Sequence, residues 1–183
     1  MEDRDTRYTL QGLVELDDTY IGGKKKSGKR GRGARSKVPV LVVVESRPEG
    51  CAHVALSKLE SLTSHWARSF LHQKVQQNSL ILSDSLSIYQ SLSEDLNLYP
   101  LTVSNGQRAV EIFPDVHRVI ARLKNWIRGT HSHVSSKHLN RYLAEFSYRF
   151  NRRFKARRDT IFDRLVTVCC TTQTITYQQL VAA

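Results

Sequence analysis

Three runs of β-forming residues precede any helical periodicity in this chain, and that order sets the fold class. From Leu13, the string Leu-Val-Glu-Leu-Asp-Asp-Thr-Tyr-Ile-Gly-Gly ends in paired glycines and predicts a strand running into a turn. Val38 to Glu45 reads as a second strand, Ser46 to Gly50 with Pro48 as a turn, and Cys51 to Ser57 as a third strand. An antiparallel meander of this kind has apolar faces that need a covering layer. The rest of the chain supplies it. A helix is expected from Thr63 or Ser64, either of which could cap it, to about Gln76. Leu80-Ile81-Leu82 reads as a buried strand stopping at Ser83-Asp84, and Ser85 to Leu96 as the helix after it. A short strand over Tyr99 to Val103 is followed by a turn at Ser104-Asn105-Gly106. Beyond it the pattern is helical. Val116, Ile120, Leu123 and Ile127 share one face, as do Leu139, Tyr142, Leu143, Phe146 and Phe150 after a break at Gly129-Thr130-His131. The expected class is α/β, a mixed sheet with helices on both faces.

Charge indicates the partner. The 183 residues carry 28 Lys plus Arg against 17 Asp plus Glu, a formal charge of +11. Lys24, Lys25, Lys26, Lys29, Arg30, Arg32, Arg35 and Lys37 fall in an acid-free, glycine-spaced stretch that reads as a flexible cationic loop. A second stretch, Arg118 to Arg158, holds twelve cations and one acid, Glu145. A solvated face normally intersperses both signs, so the missing acids point to a polyanion gripped through its phosphates. An RNA-binding protein ranks last, because single-strand stacking needs exposed aromatics among the cations. No apolar run is long enough to span a bilayer, and the first residues lack a secretory h-region, so a cytoplasmic protein without membrane contact is expected. Cys51, Cys169 and Cys170 form neither an even disulfide framework nor a zinc knuckle and are expected to be small buried hydrophobes.

Against this basic background two acidic positions stand at strand ends: Asp17, with its neighbour Asp18, and Asp84. A sheet can bring such ends together. Two carboxylates among phosphate-holding cations are the hard oxygen donors that two-metal phosphoryl transfer requires. Position alone leaves open that Asp84 caps the next helix and that Asp17 or Asp18 pairs with a lysine.

Longer strings narrow the choice. Val14-Glu-Leu-Asp-Asp-Thr-Tyr-Ile-Gly-Gly-Lys24, Gly-Lys-Arg-Gly-Arg-Gly at 28–33, Ser83-Asp84, His117-x-x-Ile-x-x-Leu-Lys-x-Trp-x-x-Gly-Thr-His131 and Lys137-His-Leu-x-Arg-Tyr-Leu-x-Glu-Phe-x-Tyr-Arg-Phe-Asn-Arg-Arg153 together resemble the ISXO2-like transposase domain of the IS1595 insertion-sequence family. The resemblance runs from about Tyr8 to Arg158. It implies a ribonuclease H-like fold with a DDE-type acidic site and cut-and-join chemistry on DNA ends. It further implies a catalytic domain over 1–158, with its core at 8–158 and its basic loop at 24–37, followed by a partly helical tail over 159–183.

Carried over by position, the resemblance assigns the first two aspartates to Asp17 and Asp84, holding two Mg²⁺ or Mn²⁺ ions, and a phosphate-contacting lysine to Lys124. The basic loop with Arg149, Arg152 and Arg153 would grip double-stranded DNA, both element ends and target, in a homo-oligomer at the nucleoid. The chain departs from the pattern at three places. At the third metal position, where an asparagine stands two residues before the lysine, it has Arg122, a permanent cation that cannot ligate a metal. Asn125 is a substitute one helical turn on, about 4.5 Å along the axis, and Glu111 and Asp115 are alternative carboxylates upstream. Ser85 stands where a glycine usually follows the second aspartate, with little expected effect. Nothing before Asp17 could form the Cys-based zinc ribbon of family members, so end recognition is expected to be impaired. His131 and His138 are explained by family strings rather than, with His133, by a zinc site. The expected function is a DDE-type transposase catalytic domain, and the rival is a remnant that binds DNA without turnover.

Overall fold

The computed structural model describes residues 8–22, 37–93, 95–102, 110–154 and 160–182. Five strands form one mixed sheet: β1 (Leu13–Ile21), β2 (Val38–Arg47), β3 (Gly50–Lys58), β4 (Leu80–Asp84) and β5 (Leu98–Leu101), in the order β3-β2-β1-β4-β5. The first three make the expected antiparallel meander, and β4 and β5 add in parallel. This is the α/β, ribonuclease H-like arrangement.

The helices are α1 (Ser64–Lys74), the single turn α2 (Ser87–Gln90), α3 (Pro114–Thr130), α4 (Leu139–Phe150), α5 (Ile161–Thr171) and α6 (Tyr177–Ala182). The helix expected over Ser85 to Leu96 is only α2 followed by turns. The hydroxyls of Ser91 and Ser93 donate to the carbonyls of Ile88 and Gln90 at 2.8 and 2.6 Å, competing with the helical ladder. The turn expected at Ser104 to Gly106 lies outside the described residues.

Strand alternation sorts the core into two layers. Val40, Val42 and Val44 of β2 face α3 and α4, meeting Val116, Val119, Ile120, Leu123, Leu143 and Phe146. Leu41 and Val43 face the opposite layer, with Val14 and Leu16 of β1, Ala67 and Leu71 of α1, and Tyr89. Burial on both faces explains why Val38 to Glu45 reads as an almost unbroken apolar run. Among the described residues, no helix is long and apolar enough to cross a membrane.

The outer edge of β3 is covered by side chains of the α4 region. Asn151 accepts the Val54 N–H through Oδ1 (2.8 Å) and donates Nδ2 to the Val54 carbonyl (3.0 Å), standing in for a neighbouring strand. Asn140 accepts the Lys58 N–H at 3.1 Å. Arg153 donates to the Ala52 carbonyl at 3.0 Å and to the Cys51 carbonyl.

Cys51 is buried, as expected, but Cys169 and Cys170 are exposed, because α5 buries none of its residues. Burial pushes the Cys51 thiol up to about 12. A thiol reagent at neutral pH is therefore expected to modify two cysteines of the native chain rapidly and the third only after denaturation. Three fast equivalents would contradict the buried position of Cys51.

Candidate active site

The site is built at the carboxyl ends of β1 and β4, where open α/β sheets place their ligands. In the parallel ladder Leu16 pairs with Ser83, so the next residues of the two strands, Asp17 and Asp84, lie side by side. The alternation of the pleat turns both away from the Leu16 and Ser83 face, toward the layer that holds Leu82, Val42 and α3. Asp17 is held partly by its own chain, its Oδ1 accepting the Asp18 N–H at 2.7 Å, and Asp84 Oδ1 accepts the Leu86 N–H at 3.3 Å. Asp18 points to the opposite face, where its Oδ1 accepts the hydroxyl of buried Tyr89 at 3.2 Å. Burial and the nearby carboxylates of Asp18, Asp17 and Asp84 raise the Tyr89 phenol well above its ordinary range.

Helix α3 lies over the same face of the sheet as Asp17 and Asp84. It begins with Pro114 at N1, whose missing N–H costs nothing there, and packs across β1 and β2 through Val116, Val119, Ile120 and Leu123. His117 and Lys124 stand seven residues apart, two turns along one stripe of the helix. His117 Nδ1 lies 3.8 Å from Asp17 Oδ2. Burial lowers the His117 imidazole, against the pull of the Asp84 charge, and Lys124 lowers it further. The Lys124 ammonium is also lowered, by burial first and then by Arg128, with Asp17 opposing and Lys37 adding to the effect. Asp17, Asp84, His117, Lys124, Arg128 and Lys37 thus form one electrostatic neighbourhood.

Arg122 is not in it. Two residues before Lys124, it lies roughly 160° around the helix. Its charge acts on Cys51 and Arg153, beside β3. Asn125 is exposed, about 100° around from Lys124. Asp115 is buried at the helix start, its Oδ1 accepting from Arg118 at 2.6 Å, and Glu111 is exposed. Arg122, Asn125 and Asp115 thus lie off the helical stripe shared by His117 and Lys124. The signal for His117 was present in the seven-residue spacing to Lys124, but matching by string position led to Arg122 instead.

The expected DNA grip divides in the same way. Lys24, Lys25, Lys26, Lys29, Arg30, Arg32 and Arg35 lie outside the described residues, whereas the charge of exposed Lys37 acts on Lys124. Arg149 is exposed and pairs with Glu145 one turn back. Arg152 is buried inside the protein, and half-buried Arg153 is engaged with the β3 edge. Arg152 is 3% exposed, with its guanidinium 3.7 Å from the Tyr148 ring centroid and a hydrogen bond donated to the Tyr148 carbonyl. Arg153 stacks on Phe150 at 3.9 Å and donates to the carbonyls that close the β3 edge. His131 sits edge-on between Trp126 and Tyr142, at 4.9 and 4.6 Å, as a packed ring.

Among the described residues no three His, Cys, Asp or Glu side chains converge into a metal cage. Mg²⁺ does not require one. It binds through one or two carboxylates and completes its octahedron with water and substrate phosphate oxygens. Two adjacent aspartates at the mouth of a sheet fit that demand.

Comparison with known proteins agrees with the sequence strings. A family model described as the ISXO2-like transposase domain matches residues 9–151. Solved structures with a similar arrangement include a Mos1 mariner paired-end complex with Mg (TM-score 0.47, 15% identity, 87% of this chain and 55% of that one). Another is a Mos1 paired-end complex with Mn (TM-score 0.46, 14% identity, 74% of this chain and 48% of that one). This chain spans about half the length of those proteins. A comparison with curated proteins finds no match.

The two arginine environments separate by stability. Arg152→Ala is expected to lower the unfolding free energy by about 2–4 kcal/mol, through loss of a buried stacked and hydrogen-bonded cation. Arg149→Ala, an exposed change, should shift it by less than about 0.5 kcal/mol. Urea titrations of the two variants provide the check, and equal effects would contradict the burial difference.

Proposed function

The chain belongs to the ISXO2-like transposase domain family, and from that premise we propose that it is a DDE-type catalytic domain that cleaves DNA at the ends of an insertion sequence and joins them to target DNA. The observation that carries this reading is the placement of Asp17 beside Asp84 on adjacent parallel strands, beneath the helix that carries Lys124.

Each residue has a role derived from its position. Asp17 and Asp84 offer carboxylate oxygens at the site mouth and would hold the divalent ions, Mg²⁺ or Mn²⁺. When bound, those ions supply charge neutralisation for the attacking and leaving oxygens of an in-line displacement. Lys124 stands where its ammonium can meet a phosphate adjoining the scissile bond. Arg128 and Lys37 extend that positive field, and Arg149 adds an exposed cation on α4. His117 occupies the side of α3 nearest Asp17, filling the corner that Arg122 does not reach.

The chemistry is two successive displacements at phosphorus. Water attacks the phosphodiester at the element end, forming one P–O bond as the bond to the 3′-oxygen breaks. The freed 3′-hydroxyl then attacks a target phosphate, again exchanging one P–O bond for another, so no external energy source is needed. A pair of such domains on paired ends is the assembly this chemistry calls for.

The test is a strand-cleavage and strand-transfer assay on duplex DNA with Mg²⁺ or Mn²⁺. Asp17→Asn and Asp84→Asn are each expected to reduce turnover by about 10³-fold, while leaving duplex binding within a few-fold of wild type. Arg149→Ala should reduce the slope of log affinity against log salt by about one. Activity retained in either aspartate variant would end this reading. Salt-sensitive binding with no turnover in the wild-type chain would identify it as a DNA-binding relic.

A further inference from the structure

Glu15 stands two residues before Asp17 on the same face of β1, about 6.6 Å away along the strand. It is 3% exposed, on the face of β1 that packs against α3, with the buried carboxylate of Asp115 nearby. An ionised side chain in such a place loses its hydration, and an apolar residue would fill the same volume at lower cost. Its hydrogen bonds show what the carboxylate does there. Oε2 accepts the backbone N–H of Val116 at 2.7 Å, and Oε1 accepts the hydroxyl of Ser46 at 3.1 Å.

Val116 is the third residue of α3, and its N–H belongs to the first turn, where helix donors lack intrahelical partners. The N-cap residue Phe113 makes no side-chain capping bond. The cap therefore comes from 101 residues earlier in the chain, from the strand that carries Asp17. A carboxylate at a helix N-terminus also interacts favourably with the helix dipole. His117 follows Val116 directly, and Lys124 lies two turns further on the rigid helix. The bond from β1 to Val116 thus fixes the height and rotation of the stripe that overlies Asp17 and Asp84.

We propose that Glu15 is a positioning residue, locking the start of α3 to β1 so that His117 and Lys124 are held over the two aspartates. The proposal rests on the function given above. Its consequence is that Glu15 contributes to turnover through α3, without touching metal or DNA.

The experiment compares Glu15→Ala with Glu15→Gln in the full chain. Glutamine keeps an oxygen for the Val116 N–H and a donor for Ser46 Oγ, whereas alanine keeps neither. Per folded molecule, Glu15→Ala should lose about 30–100-fold in kcat, with dissociation constants for Mn²⁺ and duplex DNA within about 3-fold of wild type. Glu15→Gln should recover to within about 5-fold. Because Glu15 acts through the helix bearing Lys124, adding Glu15→Ala to Lys124→Ala should cost less than about 3-fold more. A readout independent of turnover is the broadening of the His117 ring protons by bound Mn²⁺, expected to weaken in Glu15→Ala and to persist in Glu15→Gln.

Several results would overturn the inference: full kcat per folded Glu15→Ala molecule, losses that multiply in the double variant, equal losses in both Glu15 variants, or unchanged His117 broadening. If Glu15→Ala does not fold, Ser46→Ala, which removes the second anchor of the carboxylate, should lower kcat about 3–10-fold with the same pattern. An unchanged kcat there would equally refute the proposal. Asp17→Asn separates the two claims. Full activity in that variant removes the catalytic reading itself, whereas a dead Asp17→Asn beside a fully active Glu15→Ala removes only the role of Glu15.

Discussion

The parallel pairing of β1 with β4 is the constraint on which the site depends. Leu16 opposite Ser83 places Asp17 next to Asp84, and the pleat turns both to the α3 side. A slip of one residue would send one carboxylate to the opposite face, among Leu41, Val43 and Tyr89. The register is held by burial on both sides of the sheet. Val14, Leu16 and Ile81 fill one layer while Glu15, Leu82 and Val42 face the other, so every strand residue near the site has a face on which it belongs. Two like charges are thereby brought together by forces that have nothing to do with charge. Their repulsion is offset by the Asp18 and Leu86 N–H groups and by the cationic field of Lys124, Arg128 and Lys37.

Helix α3 lies along one side of this pair of acids, and its placement is polar as well as apolar. Val116, Val119, Ile120 and Leu123 bind it to the sheet, but apolar contacts alone tolerate small rotations of a helix. The Glu15 to Val116 hydrogen bond is directional and removes that freedom at the end nearest the aspartates. The same burial that favours the fold lowers both Lys124 and His117. A lysine of reduced affinity for its proton is the expected result of partly burying a positive group among other cations, and the same burial favours the uncharged imidazole of His117.

Much of this was legible in the sequence, for identifiable reasons. The meander, β4 and the helices over 114–130 and 139–150 follow from apolar spacing, which the sheet and helix periods enforce strongly. The helix expected at Ser85 to Leu96 failed because local serine hydroxyl bonds compete with helix propagation, and these depend on rotamers that a residue pattern does not specify. Cys169 and Cys170 were misplaced because composition says nothing of whether an amphipathic helix finds a partner. Arg122 and His117 illustrate a different limit. String position favoured Arg122, but helical phase decides which residue faces the sheet, and phase puts His117 and Lys124 on the side that Arg122 leaves.

The basic character of the chain also changes meaning once burial is known. A formal charge of +11 counts every cation equally, yet Arg152 is enclosed against Tyr148 and Arg153 closes the edge of β3. Their value is geometric, since a guanidinium can stack on a ring and donate to carbonyls at the same time, which an ammonium does less well. Buried Arg152 therefore contributes little to a counterion-releasing surface. Among the described residues, Lys124 with Arg128 and Lys37 supplies positive charge on the side of the aspartates, and Arg149 adds an exposed cation on α4. Evenly spread charge binds DNA in many registers, whereas cations clustered at the carboxylates lower the energy most where a phosphate lies in the reactive position.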